Sequence, residues 1–316
     1  MAPTRHHTMR ISTANAYETS ISNLQKRQTA LSDAQERLTS GKRVLRPSDD
    51  PSAAAVSERA LAAQQRSDAQ LRALGASRNA MQLSEAALGD AGELMAQARE
   101  LLVSAGNGSY DDSDRRSIAQ AIRGLRDDLL AVANRQDGAG RYLFGGQGSN
   151  TPPLVDAPGG VSYVGTEGQL LAAGGTATPL SIDGRAAWLS GEDPAAPGTP
   201  VSLFDALDRA VTELSTPGRS GAAIAATVSH GLGEFDIAAN QLASWRSRAG
   251  EALNRIEGLE QRVQQAKLDA QTERSEAEDL DLLAAISDFQ NRQTGYDAAL
   301  KTYSIVQRMS LFEYLR

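Results

Sequence analysis

The sequence of 316 residues has no cysteine and few aromatic or histidine side chains. Without cysteine, a disulfide scaffold, thiol catalysis and a cysteine-based zinc site are all excluded. Two of the three histidines, His6 and His7, lie near the start, so His230 stands alone and a multi-histidine metal site is not expected. With only 2 Trp, 7 Tyr and 5 Phe, the chain is not expected to form a thick globular core.

Long apolar runs and excess positive charge are also missing. No stretch of 18 apolar residues exists, which predicts no membrane span. The N-terminus has no apolar segment typical of a cleavable secretory signal. The net charge is -7, from 32 basic against 39 acidic residues, and this argues against a nucleic-acid partner.

Alanine is abundant, with 52 residues, as is typical of long helices packed over thin seams. Two stretches carry apolar residues at alternating spacings of 4 and 3, the heptad pattern that keeps a narrow stripe facing a partner. The first stripe is Tyr17, Ile21, Leu24, Gln28, Leu31, Gln35 and Leu38. The second is Leu282, Ile286, Phe289, Gln293, Tyr296, Leu300 and Tyr303. Both predict helices that need a partner, because a polar helix alone has little to stabilise it in water.

Strong start and stop signals bound the next helix. Gly41 is placed to end the first helix, since glycine readily adopts the left-handed conformation found there. In the run SDDP at 48–51, Asp50 can accept hydrogen bonds from a first helical turn, and Pro51 suits the first helical position. We expect this helix to run from 51 to about 105.

Three further helical segments are expected. One, capped by Asp111 or Asp112, should reach about residue 136, and another should cover 202–215 behind Ser202. The last should begin near 220 and continue almost to the end of the chain, with Gly231 and Gly233 as candidate points of interruption.

Between residues 138 and 200 lie 14 of the 28 glycines and 7 of the 11 prolines. This composition excludes helix for most of the stretch and predicts a small β-rich module. The runs 141–144 and 161–164 are interpreted as strands, and disorder is the alternative for 191–200.

The elements predict a mainly α protein, a long antiparallel helical rod or coiled coil built from both chain ends, with a small β-rich module inserted in the middle. The expected domains are 1–8, a disordered start or a cloning remnant; 9–50 with 273–316, a terminal coiled-coil domain; 51–137 with 202–272, a helical rod domain; and 138–201, the outer module. The first terminal segment has seven basic and five acidic residues and the last has five and eight, which mildly favours their pairing.

No catalytic constellation is apparent. The run SGKR at 40–43 lacks the upstream glycine of a phosphate-binding loop, and GGQG at 145–148 lacks the third glycine of a dinucleotide fingerprint. The carboxylates at 111–114 are interpreted as helix caps, and those between 276 and 281 as a solvated helix face. We therefore expect no cofactor and no enzymatic activity.

The heptad stripes have two interpretations, an internal helical hairpin or a surface kept for partner subunits. The apolar residues near the C-terminus favour the second, because terminal residues of monomers are usually polar. The predicted subunit interface comprises Tyr17, Ile21, Leu24, Leu31, Leu38, Leu282, Ile286, Phe289, Tyr296, Leu300, Tyr303, Leu311, Phe312, Tyr314 and Leu315.

Five runs resemble the flagellin family. Residues 9–13 (MRIST) and 38–51 (LTSGKRVLRPSDDP) resemble its N-terminal end, and 302–315 (TYSIVQRMSLFEYL) resembles the C-terminal end of its junction-type members. Residues 140–146 (GRYLFGG) resemble its strand entry, and 163–168 (YVGTEG) resemble its hairpin, with Thr where the family usually has Asp.

This resemblance implies a structural subunit of the bacterial flagellum. Its terminal helices would line the flagellar tube, and its copies would form a ring needed for filament attachment and motility. The implied partners are other copies, the other hook-associated junction protein on the hook side, flagellin on the filament side, and an export chaperone. Export would proceed unfolded through the flagellar type III apparatus to the outside of the cell, without a cleavable signal.

Two other functions stay open at this point. A filament-forming flagellin would share the terminal helices. A hydrolase or glycan-modifying enzyme in the β-rich module would need Asp156, Glu167 and Asp183 to converge in a cleft.

Overall fold

The computed structural model describes residues 8–172, 176–193, 196 and 198–314, with side chains described between Tyr17 and Ile305. The expected start at 1–8 therefore lies outside the described residues except for Thr8, which begins a helix. The helices of the described ranges are α1 (Thr8–Ser40), α2 (Pro51–Ala105), α3 (Asp112–Ala133), α4 (Gly184–Trp188), α5 (Leu203–Ser215), α6 (Gly221–Glu278) and α7 (Leu282–Tyr314). The predicted mainly α fold is confirmed.

The chain forms two compact units. The terminal unit combines the described residues before position 66 with those from 266 onward, and the core unit comprises the described residues from 66 to 265. The long helices α2 and α6 each contribute residues to both units. The finer division into three domains stays a prediction.

The predicted helix caps are present. At the start of α2, Asp50 Oδ1 accepts a hydrogen bond from the Ala53 backbone N–H at 3.0 Å, and Pro51 occupies the first helical position. Asp111 caps α3 in a reciprocal capping box with Asp114, and Ser202 caps α5. These side chains satisfy backbone donors that a helix start leaves free.

The predicted continuity of the last helix is wrong. Helix α6 runs through Gly231 and Gly233 without interruption, and the chain instead leaves the helix at residues 279–281. Asp281 starts α7 by accepting hydrogen bonds from the backbone N–H groups of Leu283 and Ala284, at 3.0 and 3.2 Å. The acidic residue that looked like part of a solvated helix face is thus a helix cap.

The described strands form two small antiparallel hairpins. Strand β1 (Leu154–Ala157) pairs with β2 (Gly160–Tyr163), and β3 (Gly191–Glu192) pairs with β4 (Pro200–Val201). The predicted strand at 161–164 is confirmed, whereas 141–144 forms turns with one isolated bridge. The hairpin expected at 163–168 is also wrong, because Tyr163 ends a strand and the hairpin turn precedes it at 158–159.

Among the described residues, the buried aromatic side chains all lie in the core unit. Trp188 is 1% exposed and packs edge-on against Phe144, with ring centroids 5.1 Å apart, and it stacks on Phe204 at 6.2 Å. The buried residues Met81, Leu88, Met95 and Leu102 of α2 belong to the same cluster, as does Phe235 of α6. These few aromatic side chains are enough to form a buried core, because they cluster where the β-rich segment packs against the helices.

A buried arginine joins three elements of the core unit. Arg126 of α3 is 7% exposed and donates two hydrogen bonds to Asp156 of β1, at 2.7 and 2.8 Å. It donates two more to Asp208 of α5, at 3.1 and 3.2 Å. The Arg126 guanidinium lowers the pKa of Asp156 by hydrogen bonding to its ionised form. This pairing fixes β1 against α3 and α5.

Among the helices that the structure describes, none is both long enough and apolar enough to span a bilayer.

Candidate subunit interface

Helices α1 and α7 pack against each other within the terminal unit. The Tyr303 hydroxyl donates to Tyr17 Oη at 2.6 Å, and this bond raises the pKa of Tyr303 by stabilising its neutral form. Farther along, the Arg27 guanidinium donates to the Gly295 carbonyl, and the Arg292 guanidinium donates to the Ala30 carbonyl. Later residues of α1 therefore meet earlier residues of α7, which confirms the predicted antiparallel pairing.

The predicted interface residues are only partly covered by this pairing. Tyr17, Leu282, Ile286 and Leu300 keep 45%, 56%, 46% and 41% of their surface exposed. The half-buried members are Ile21, Leu24, Leu31, Leu38, Phe289, Tyr296 and Tyr303. The side chains of Leu311, Phe312 and Tyr314, and all of Leu315, lie outside the described part of the chain. The pairing of α1 with α7 thus leaves apolar surface exposed on both helices.

The described side chains of the terminal unit form little apolar core. Among its described side chains, the buried apolar residues are Ala34, Val44, Ala60 and Ala270. None is larger than valine, whereas burial of a leucine or phenylalanine side chain contributes about 1.5–3 kcal/mol. Apolar burial within one copy therefore stabilises this unit weakly.

A polar cluster holds the break between α6 and α7, and we name it the helix-break clamp: Lys42, Arg43, Ser57, Arg274 and Glu278. Its backbone part is an antiparallel bridge between Lys42 and Asp279. Arg43 N–H donates to the Glu278 carbonyl at 2.7 Å, and Leu280 N–H donates to the Gly41 carbonyl at 2.9 Å. These bonds replace helical hydrogen bonds that the break removes.

Gly41 shapes the chain for this bridge. Its φ of 70° lies in the left-handed region, and its N–H donates to the Arg37 carbonyl at 2.9 Å, the αL pattern of a helix end. A residue with a Cβ would be strained at this φ. The glycine thus ends α1 and turns the following residues toward the helix break.

Glu278 is the centre of the clamp. Its carboxylate accepts a hydrogen bond from Ser57 at 2.6 Å and pairs with Lys42 and Arg274 at 3.2 and 3.0 Å. Burial acts to raise the pKa of Glu278, but the bonds from Ser57 and Lys42 outweigh it, so the pKa is below its ordinary value. The carboxylate is therefore ionised at neutral pH and binds the loop after α1 to both long helices.

The loop that follows is fixed by two neighbouring aspartates. Asp49 Oδ2 accepts backbone hydrogen bonds from Leu45 and Arg46, at 3.2 and 3.1 Å. Asp50 pairs with Arg43 at 3.2 Å, and bonds from the Ala53 N–H and the Ser52 hydroxyl lower its pKa to about 2. The SDDP run thus caps α2 and also orients Arg43 of the helix-break clamp.

The sequence did not reveal this clamp. The carboxylates between 276 and 281 were expected to form a solvated face, and this is wrong for Glu278, which is half-buried and paired. Glu278 pairs with two cations. Lys42 lies more than 200 positions away in the sequence, and Arg274 lies one helical turn before it. Only the close spacing of Gly41 and Lys42 before SDDP could have suggested a shaped loop.

The three carboxylates of the enzyme hypothesis have separate partners. Asp156 pairs with Arg126, Glu167 pairs with Arg185, and Asp183 caps α4 while accepting the Gly168 N–H at 2.8 Å. Across the described residues, no group of three or more metal-binding side chains gathers in a way that could hold an ion. These contacts serve the fold of the β-rich segment.

Comparison with known proteins gives matches at both ends of the chain. Residues 11–149 match the bacterial flagellin N-terminal helical region, and 232–315 match the bacterial flagellin C-terminal helical region. Flagellar hook-associated protein 3 of Salmonella typhimurium is 30% identical over 323 residues, covering 98% of this chain and 100% of that protein. The protein of the same name from Escherichia coli is 29% identical over 324 residues, covering 96% and 99%.

Solved structures show the same fold. A putative flagellar hook-associated protein from Vibrio parahaemolyticus superposes with a TM-score of 0.65 at 18% sequence identity. The match covers 73% of this chain and 100% of that one.

Proposed function

The chain belongs to the flagellin family and, within it, to the flagellar hook-associated protein 3 group, and we propose that it is a structural subunit of the junction between the flagellar hook and filament. In this role it attaches the flagellin filament to the hook and is required for motility. The observation that carries the proposal is similarity to hook-associated protein 3 over the full length of both chains. We propose that it acts by assembly and catalyses no reaction.

The terminal unit supplies the physical reason for assembly. It leaves Leu282, Ile286 and Leu300 more than 40% exposed, and few of its described side chains are buried and apolar. Burying apolar surface between copies contributes about 25 cal/mol per Å². A ring of subunits would therefore gain stability that a single copy lacks, and helices that are weak alone would become ordered on assembly.

The partners follow from the position of a junction. We propose contacts with further copies in a ring, with the other hook-associated junction protein on the hook side and with flagellin on the filament side. An export chaperone would bind the C-terminal region before assembly, and the chain would leave the cell unfolded through the flagellar export apparatus. Exposed apolar stripes on weak helices favour both steps, because such segments bind partners readily when unfolded.

A filament-forming flagellin is the second candidate. The matches to both flagellin helical regions favour it, since these regions are common to the family. The two candidates differ in self-assembly: purified flagellin would polymerise alone into long filaments, whereas a junction subunit would add only a short layer to a hook.

Deletion of the gene in the source bacterium tests the proposal. We expect cells with hooks but no filaments, flagellin released into the medium, and no swimming. Reintroduction of the unchanged chain should restore filaments, whereas a Leu282→Asp, Ile286→Asp variant should not, because charge on the stripe blocks its burial. A Val164→Asp variant, which alters a 56% exposed residue of the core unit, is the matched control and should restore them. Filaments on the deletion strain would refute the proposed function.

A further inference from the structure

A groove runs between α1 and α7 in the terminal unit, with a volume of about 750 Å³. Its lining includes the small residues Ala30, Gly295, Ala298 and Ala299. On each helix, the lining positions recur at intervals of three and four, so they form one continuous face of the pair. Small side chains let another helix approach closely, since the distance between packed helices depends on the side chains at the contact.

An apolar ridge lies at the start of the same α7 helix. It consists of Leu282, Leu283 and Ile286, which are 56%, 80% and 46% exposed. Leu283 has the largest exposed fraction among the large apolar side chains that the structure describes. Three such residues within two helical turns form a patch that is unfavourable in water.

The ridge and the groove carry opposite charges. Asp279, Asp281 and Asp288 lie close to the ridge in sequence. Of these, Asp288 forms an ion pair with Arg292 on the same helix. Lys26 and Arg27 line the groove, and both are exposed. Arg27 donates to the Gly295 carbonyl at 3.4 Å, where a Cβ on residue 295 would approach its guanidinium to 3.0 Å. The glycine thus admits the cation into the groove.

The ridge of one copy cannot reach the groove of the same copy. Leu283 and Ala298 are 15 positions apart on one continuous helix, a separation of about 22 Å. Contact between them therefore requires two chains, and it joins different patches of the two. Head-to-tail contacts of this kind generate closed rings or helical arrays.

We propose that the ridge of one copy (Leu282, Leu283 and Ile286) seats in the α1–α7 groove of the next copy. The acidic side chains beside the ridge then meet Lys26 and Arg27, which sets the register of the contact. This proposal rests on the proposed function, because it specifies the lateral contact by which junction subunits form a ring.

The absence of cysteine makes a cross-linking test direct. A Leu283→Cys, Ala298→Cys variant of the full chain is expressed in the source bacterium, and its hook–filament junctions are isolated and oxidised. The two cysteines are too far apart to join within one chain. We expect a ladder of covalent trimers and larger species on a non-reducing gel, which reduction collapses to the monomer.

Two controls share the test conditions. Leu283→Cys with Asp297→Cys places the second cysteine on an exposed neighbour of Ala298 that does not line the groove, and should not give the ladder. Leu283→Cys alone can give at most dimers. A ladder from the Asp297→Cys control equal to that of the test variant would overturn the proposal.

The test separates this contact from the function on which it rests. If cells carrying the Leu283→Cys, Ala298→Cys variant swim and bear filaments but their junctions give no species beyond background, the ridge-and-groove contact is refuted and the junction function stands. If the deletion strain itself bears filaments, the junction function fails whatever the gel shows.

Discussion

The terminal unit and the core unit contain similar long helices, but they are stabilised differently. The core unit buries Trp188, Phe144 and Phe204 at 1% exposure or less, whereas the described side chains of the terminal unit bury no apolar residue larger than valine. The terminal unit instead relies on backbone bonds and the helix-break clamp around Glu278, and it displays Leu283 at 80% exposure. We propose from this difference that one unit is complete in a single copy and that the other is completed by assembly.

The largest expected effect is on the aromatic cluster of the core unit. Trp188→Ala should lower the free energy of unfolding by about 3–5 kcal/mol, because it empties a fully buried site. Urea unfolding followed by far-UV circular dichroism measures it. Tyr17→Ala, in the terminal unit, should cost the monomer less than about 1 kcal/mol, since Tyr17 is 45% exposed. Equal losses in the two variants would remove the distinction between the units.

Arg126 gives the next largest effect. Arg126→Met should destabilise the core unit by about 2–3 kcal/mol, because Asp156 and Asp208 lose their shared cation. The loss is moderated by water, which reaches both carboxylates. Arg99→Met removes a surface pair with Asp236 and is the matched control, with an expected cost below about 1 kcal/mol. If Arg126→Met unfolded at the same urea concentration as the unchanged chain, the arginine would have no role in holding β1.

Loss of the helix-break clamp should lower the stability of the terminal unit and leave the core unit unchanged. Glu278→Gln should lower the stability of the terminal unit by about 1–2 kcal/mol, because Lys42 and Arg274 lose their anion while Ser57 keeps an acceptor. Faster hydrogen exchange at Leu280 and Arg43, with unchanged exchange in α5, is the readout. Glu276→Gln changes an exposed neighbour and should leave the exchange unaltered. Slowed or unchanged exchange at Leu280 in Glu278→Gln would show that the clamp does not hold the break.

Acid should weaken the terminal loop by a smaller amount. The pKa of Asp50 is lowered to about 2 and that of Glu278 is also lowered, so each ionised carboxylate stabilises the folded state. Their contributions are fully present at neutral pH, and they are lost as the pH falls from about 4 toward 2. Exchange at Arg43 should therefore accelerate over this range, and less so in Glu278→Gln. Exchange that is independent of pH, after correction for the intrinsic rate, would contradict the assignment.

The sequence predicted the features that depend on local chemistry. Capping chemistry predicted the start of α2 at Pro51, a cap at Asp111 or Asp112 and the cap Ser202, and heptad spacing predicted the antiparallel pairing of α1 with α7. The break at 279–281 could not be predicted in this way, because it is held by backbone bonds to Gly41 and Arg43 from the other end of the chain. Gly231 and Gly233 both lie inside α6. At residue 231 a Cβ would come within 2.8 Å of Leu102, so this glycine allows close packing and does not end the helix.

In the candidate interface, too, the features that depend on contacts between distant parts of the chain could not be predicted from the sequence. The heptad spacing predicted the stripe residues, but the groove beside Ala298 could not be inferred, since its lining combines two helices more than 260 positions apart. Likewise Leu283 falls outside the heptad, and its 80% exposure emerges only from the fold.

Hydrogen exchange on the full chain tests most directly the proposal that the terminal unit is completed by assembly. In the purified monomer, amides of α1 and α7 should exchange with little protection while those of α5 and the Trp188 cluster remain protected. In isolated hook–filament junctions, α1 and α7 should gain strong protection. Equal protection of the two units in the monomer, with no gain on assembly, would show that the terminal unit is already complete in a single copy.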